Sequence, residues 1–148
     1  MNHLDLGDNI IKNVRAIIRK DEGGQTLYLI TQEPAGSFTI PGGCKDLEDA
    51  DLRSALQREL WEELRLSPDD YSVTDTPIQK RYGNLYDDPG SERRGKDTII
   101  YIFLISNLKK GPTPTSEVKG AFWLTKEKAL DAFNTAHMTE LFELGVEQ

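Results

Sequence analysis

Cysteine is almost absent from this chain: Cys44 is the one thiol in 148 residues, so no internal disulfide can form. A reducing, cytoplasmic setting is the simplest expectation. Long apolar runs are missing too. None approaches the ~18 residues that a membrane-spanning helix needs, and the opening "MNHLDLGDNIIK" has no apolar signal-peptide region. Positive charge is scarce: 18 Lys and Arg against 25 Asp and Glu give a formal net charge of -7. That argues against a broad basic surface for duplex nucleic acid. It leaves room for a small phosphate-bearing partner if a metal cation mediates. The two histidines, His3 and His137, have no ligand partners near them in sequence.

What is present is enough apolar content, 37%, for one domain with a real core across residues 1–148. Ile and Val in "NIIKNVRAIIRK" (9–20) predict a strand. "DEGG" predicts a turn and "TLYLIT" (26–31) the returning strand. "SFTI" (37–40) reads as a short strand, which "PGG" (41–43) breaks. Leu52, Ala55, Leu56, Leu60 and Leu64 then recur at helical spacing, with Asp49 or Asp51 as cap and "LSPDD" as terminator. A weak strand is expected within 71–83 and a polar loop over 84–96. "DTIIYIFLIS" (97–106) is the clearest strand, and "GAFWLT" (120–125) the last. Thr125 should cap a helix to about Phe133, with a shorter one through "MTELFELG". Strands before, between and after so few helices predict an α/β fold with a mixed sheet, not a doubly wound parallel one.

The acidic residues are concentrated. Between Asp46 and Glu63, Asp46, Glu48, Asp49, Asp51, Glu59, Glu62 and Glu63 face only Arg53 and Arg58. A solvated helix face usually mixes signs. At ~100° per residue, Glu59, Glu62 and Glu63 fall on neighbouring faces of one helix, where uncompensated carboxylates repel. A divalent cation reverses that sign, and hard oxygen ligands suit Mg²⁺ or Mn²⁺. A calcium-binding loop starting at Asp46 fails, because Asp51 stands at the glycine position and Gln57 at the final glutamate. Gly42 and Gly43, just before the helix region, permit close backbone approach to a ligand. These features together point to metal-assisted hydrolysis of a phosphoanhydride.

The segment "GGCKDLEDADLRSALQRELWEELRLS" resembles the Nudix box. Gly43 matches its opening glycine, Ala55 its usual small residue, and Arg58, Glu59, Leu60, Glu62, Glu63 and Leu66 its second half. The resemblance implies an α/β/α sandwich around a mixed sheet. It implies a hydrolase of nucleoside diphosphates linked to another group, with metal at Glu59, Glu62, Glu63 and the Gly43 carbonyl. Arg58 would orient a nearby carboxylate. Glu59, or Glu117 from outside the box, would activate water. Two departures stand out. Gly43 to Arg58 is one residue longer than the pattern, so the early glutamate is displaced and Glu48 or Asp49 are the candidates for its place. Arg65 replaces a glycine that would end the helix in a left-handed conformation, so the helix should end with modest strain or differently.

A weaker resemblance reaches the diadenosine polyphosphate hydrolases of that family, through Tyr82 and the strands around "YIFLI" and "GAFWL". Against it, "PGGC" lacks the lysine that subgroup often carries between proline and glycine. Dinucleoside polyphosphates are therefore the lead substrate class. Modified nucleoside triphosphates and nucleotide sugars follow, and a non-catalytic nucleotide sensor is the rival. Tyr82 and Tyr86 are candidates for stacking on a base, and Lys80, Arg81, Arg93, Arg94 and Lys96 for a polyphosphate tail. Trp61 and Trp123 are expected in core or helix–sheet packing, and Cys44 as an ordinary thiol. The small-molecule partner is a nucleotide, with no duplex nucleic acid and no membrane, and the chain a monomer or homodimer.

Overall fold

A computed structural model describes residues 3–147. Its centre is the strand β1 (Ile10–Glu22), where β-branched residues pack well on a pleated surface. One edge of β1 pairs in parallel with β7 (Asp97–Ser106), from Ile10 against Asp97 to Ile18 against Ile105. Its other edge pairs antiparallel with β4 (Gly42–Cys44), then with β2 (Gln25–Gln32) across the predicted hairpin. β2 also pairs with β3 (Phe38–Thr39) and β8 (Gly120–Leu124), while β7 carries β5 (Ser72–Val73) and β6 (Ile78–Tyr82). The sheet is mixed and eight-stranded.

Period-two alternation along β7 supplies both faces. Phe103 and Ile105 join Val14, Ala16, Ile18 and Leu29 under α1 (Leu52–Leu64), whose buried stripe is Ala55, Leu56, Leu60 and Leu64. Ile100 and Ile102 face the opposite way, with Ile17, Tyr28 and Ile30, toward α2 (Lys126–Ala132) and α3 (Ala136–Val146). Helices on both faces make the α/β/α sandwich that the sequence resemblance implied. Among the described residues, no helix is long and apolar enough to cross a membrane.

Several local expectations need correction. "PGG" does break the pattern after β3, at Pro41, but its two glycines are themselves strand, since Gly42 and Gly43 form β4 beside β1. Gly42 sits at φ +148°, and a Cβ there would lie 1.9 Å from the Val14 carbonyl oxygen, so only glycine permits this pairing. The weak strand over 71–83 is two strands, β5 and β6. The last helix, with 11 residues, is longer than α2, with 7. Trp61 is not in the core: it is 47% exposed, because it lies one residue off the apolar stripe. Trp123 does pack against the α1-side cluster.

Candidate active site

α1 begins where the Asp51 side chain accepts a hydrogen bond from the Ser54 amide at 2.8 Å. It ends at Arg65, which takes the left-handed conformation, φ 55° and ψ 34°. That position costs a non-glycine residue about 1 kcal/mol. Arg65 offsets part of this cost by donating from Nη1 to the Trp61 carbonyl at 3.1 Å and laying its guanidinium 5.0 Å from the Trp61 ring centre. The helix end is also held from outside. In the loop between β7 and β8, Thr113 and Thr115 donate their amides to the carbonyls of Leu64 and Glu63, at 2.8 and 3.0 Å.

The acidic side chains divide into two sets. One surrounds Arg58. Its Nε and Nη2 donate to the two Asp49 oxygens at 2.9 and 3.0 Å, a forked pair. Nη1 donates to Glu62 at 2.6 Å and to Glu59 at 3.1 Å, and Nη2 to the Cys44 carbonyl at 3.1 Å. Asp46 lies 3.3 Å from Nη2. Burial works against the Asp49 carboxylate, yet the bonds from Arg58 and the Asp46 amide hold it below its usual pKa. Asp49 thus takes the place beside Arg58 left open by the extra residue. Glu48 turns away and accepts from the His3 amide and ring.

The other set is Glu59 and Glu63, which are partly buried with few donors. Glu63 accepts one long bond, from the Gly42 amide at 3.3 Å. Glu59 presses against Gly43, where an added Cβ would fall 2.5 Å from Glu59 Oε1. Burial pushes Glu59 up to about 7, partly countered by Arg58. It pushes Glu63 up to about 8, and the Glu59 charge adds to the effect. Glu117 is exposed, but its charge also raises Glu63, which places it nearby. The Thr115 hydroxyl ties this stretch down: it donates to the Glu62 carbonyl and accepts from the Glu117 amide.

These residues fit a magnesium-type cation. The donors are hard oxygens, and two are carboxylates whose burial a divalent charge would relieve. Among the described residues no three candidate ligands converge on one point, and Glu62 is engaged with Arg58. That suits an ion that keeps several waters and takes other oxygens from a substrate, not an all-protein cage.

A cleft of roughly 180 Å³ opens beside this set, lined by Arg15, Glu33, Phe38, Tyr86, Asn134 and His137 among others. Register connects the two: Arg15 stands opposite Gly42, and Asn13 opposite Cys44. A second cavity, about 220 Å³, is lined by residues such as Ile17, Tyr28, Leu104 and Gly145 and by no carboxylate. Of these two, the first cleft is the one that adjoins the strand pairing of Gly42–Cys44. Tyr86 lines it, with its hydroxyl 3.4 Å from Asn13 Nδ2 and 3.7 Å from Cys44 Sγ. Burial pushes the Tyr86 hydroxyl up to about 12, so it stays protonated. The Arg93 guanidinium lies 5.3 Å from the Tyr86 ring centre.

The other expected substrate residues are not among the lining. The Tyr82 hydroxyl donates to Glu140, and its ring packs edge-on at 6.0 Å against His137, one layer behind the cleft. Arg81 is paired with Asp97 at 2.7 Å. Arg94 is exposed on the 84–96 loop and Lys96 is half-buried there. Sequence reasoning missed Asn13, Arg15, Glu33, Phe38 and His137. Asn13 and Arg15 had a visible signal: they are polar positions two apart inside an Ile/Val strand, where a core strand needs none.

Comparison with known proteins agrees with this geometry. The family model described as NUDIX domain matches residues 11–144. The chain belongs to the Nudix hydrolase family. No curated protein matches its sequence at a significant level. Among solved structures, a C. elegans Ap4A hydrolase binary complex shares 20% identity and TM-score 0.71, covering 90% of this chain and 93% of that one. The E. coli dihydroneopterin triphosphate pyrophosphohydrolase shares 12% and TM-score 0.71, covering 100% of both. The NUDIX domain of Shewanella oneidensis NrtR, complexed with ADP ribose, shares 21% and TM-score 0.67, covering 93% of this chain and 86% of that one. At these identities the likeness is one of fold.

Proposed function

We propose that this chain, acting as one unit, hydrolyses a phosphoanhydride bond in a nucleoside diphosphate linked to another group, with Mg²⁺ or Mn²⁺ as cofactor. The observation that carries the reading is the pair of partly buried, donor-poor carboxylates, Glu59 and Glu63, set against Gly42 and Gly43, where Gly42 pairs with the cleft residue Arg15. Glu59, Glu62, Glu63 and the Gly43 carbonyl hold the ion. Such an ion would supply Lewis-acid stabilisation of phosphate charge and a lowered pKa for water. Arg58 keeps Asp49, Glu59 and Glu62 in register with one another. The attacking water gives its proton to Glu117 or Glu59, and Glu117 is free of any ion pair among the described residues. Tyr86 stacks on the base, a contact worth roughly 1–3 kcal/mol. Tyr82 supports the cleft through His137. Arg81, Arg94 and Lys96 serve only a polyphosphate tail long enough to pass the cleft.

Dinucleoside polyphosphates lead as the substrate class, supported by the C. elegans fold likeness and the subgroup features of the sequence. Modified nucleoside triphosphates and nucleotide sugars are next. A nucleotide sensor on this fold is the competing class, and the intact Glu59, Glu62 and Glu63 speak against it. The test is product chromatography across these classes, with and without Mg²⁺, for the wild type and Glu63→Gln. Metal-dependent cleavage that falls on the order of a hundredfold or more in Glu63→Gln is expected. Full activity in Glu63→Gln sinks the metal assignment. Nucleotide binding without turnover moves the chain to the sensor class.

A further inference from the structure

The cleft that receives the substrate is almost without positive charge. Glu33 is acidic, and His137 is kept neutral at pH 7 by burial and by the nearby Arg15 charge. Among the described residues, Arg15 is the one cation in its lining. Arg15 also stands at the junction with the metal-type site, opposite Gly42 in the strand register, where the Gly42 amide meets Glu63.

The bonding of Arg15 is unusual for a half-buried arginine. Nε donates to Asn13 Oδ1 at 2.8 Å and Nη1 to the Ile40 carbonyl at 2.8 Å. Both acceptors are neutral. Nη2 has no partner among the described residues. Its charge acts through space on Glu59 and Glu63, yet among the described residues it forms no ion pair, so its donors remain available to an anion. Asn13 fixes the fork from one side and donates from Nδ2 to the Tyr86 hydroxyl on the other, so cation and aromatic face form one rigid unit. A preorganised fork loses little freedom when it takes up a phosphate.

We infer that Arg15 is the phosphate anchor of the cleft: it binds the non-bridging oxygens of the phosphate chain between the base, stacked at Tyr86, and the glutamate-bound end. This deepens the proposed function and rests on it for the location of the reacting phosphorus. It also names a specificity rule. The site should discriminate against the bare nucleoside by way of Arg15.

The experiment compares Arg15→Lys and Arg15→Met with the wild type, at matched thermal stability checked by melting. Binding of ADP and GDP, each against its nucleoside, is read by calorimetry in Mg²⁺, beside KM and kcat on the substrate found by the screen. The wild type should prefer diphosphate over nucleoside. Arg15→Met should lose at least tenfold of that preference with nucleoside affinity unchanged, and raise KM more than it lowers kcat. Arg15→Lys should recover part of it, since a point charge replaces a fork. Equal weakening of nucleoside and diphosphate, a lowered melting temperature with the preference intact, or no preference in the wild type would each overturn the anchor. An Arg15-dependent preference without turnover would leave the anchor standing and remove the hydrolase reading.

Discussion

Asp49 and Glu63 are carboxylates at the two ends of one short stretch of chain, and burial treats them oppositely. Asp49 is buried into a forked bond with Arg58 and stays ionised. Glu63 is buried with a single long amide contact, and its pKa rises to about 8. The first arrangement is complete in the protein alone. The second is complete only when something positive arrives. Acidic density along the sequence marks both equally, so it does not find the site. The imbalance between burial and donors tells the two apart.

The contrast can be broken from either side. The largest effect is expected from Glu63→Gln, which should abolish metal-dependent turnover while raising metal-free stability, because it removes an uncompensated buried acid. Activity assays and denaturant melts in chelator read the two halves. Next is Arg58→Met, which leaves Asp46, Asp49 and Glu62 without their shared cation. A loss of about 2 kcal/mol is expected, discounted from a fully buried pair because Arg58 keeps some solvent contact. An unchanged urea midpoint would mean that those carboxylates are as free as surface ones.

The pH dependence is a milder probe. Glu59 and Glu63 titrate near the carboxylate value of 4.5 when unfolded, but at about 7 and about 8 when folded. The folded state therefore holds protons that the unfolded state has lost. Stability from this source is full below about pH 4.5 and is lost as pH rises through about 7 to 8. Stability of the metal-free protein should drop by on the order of several kcal/mol between these limits, at about 1.4 kcal/mol per pK unit, and Mg²⁺ should restore it most at the alkaline end. A flat profile in chelator would show the two glutamates to be solvated. The smallest effect is Arg65→Gly. It relieves a left-handed arginine but forfeits the Trp61 contacts, so a gain below about 1 kcal/mol is expected by thermal melting.

Regular elements with one dominant cause could be read directly. The strand predicted at 97–106 is β7 to the residue, since its alternation buries both faces of a central strand. The helix stripe and the Asp51 cap were equally plain. Trp61 was misassigned because residue type outweighed phase: the stripe through Leu60 and Leu64 already turned position 61 outward. β4 was missed because glycines read as breakers, while here close approach to Val14 and Glu59 demands them. The site was legible in part. The glutamates lie on one helix, so spacing places them. The partners of Arg58 and the cleft residues Glu33, Phe38 and His137 come from separate elements, and only the folded sheet brings them together. Arg15 and Asn13 were within reach, as polar interruptions of an apolar strand.

The loop between β7 and β8 carries prolines and a glycine and forms no regular structure, the kind of segment ordinarily expected to exchange its amide hydrogens within seconds. Thr113 and Thr115 nevertheless donate theirs to the end of α1. Their protection against deuterium is thus a report on the helix and not on the loop. Glu117 is tied to that same tether through the hydrogen bond of its amide to the Thr115 hydroxyl.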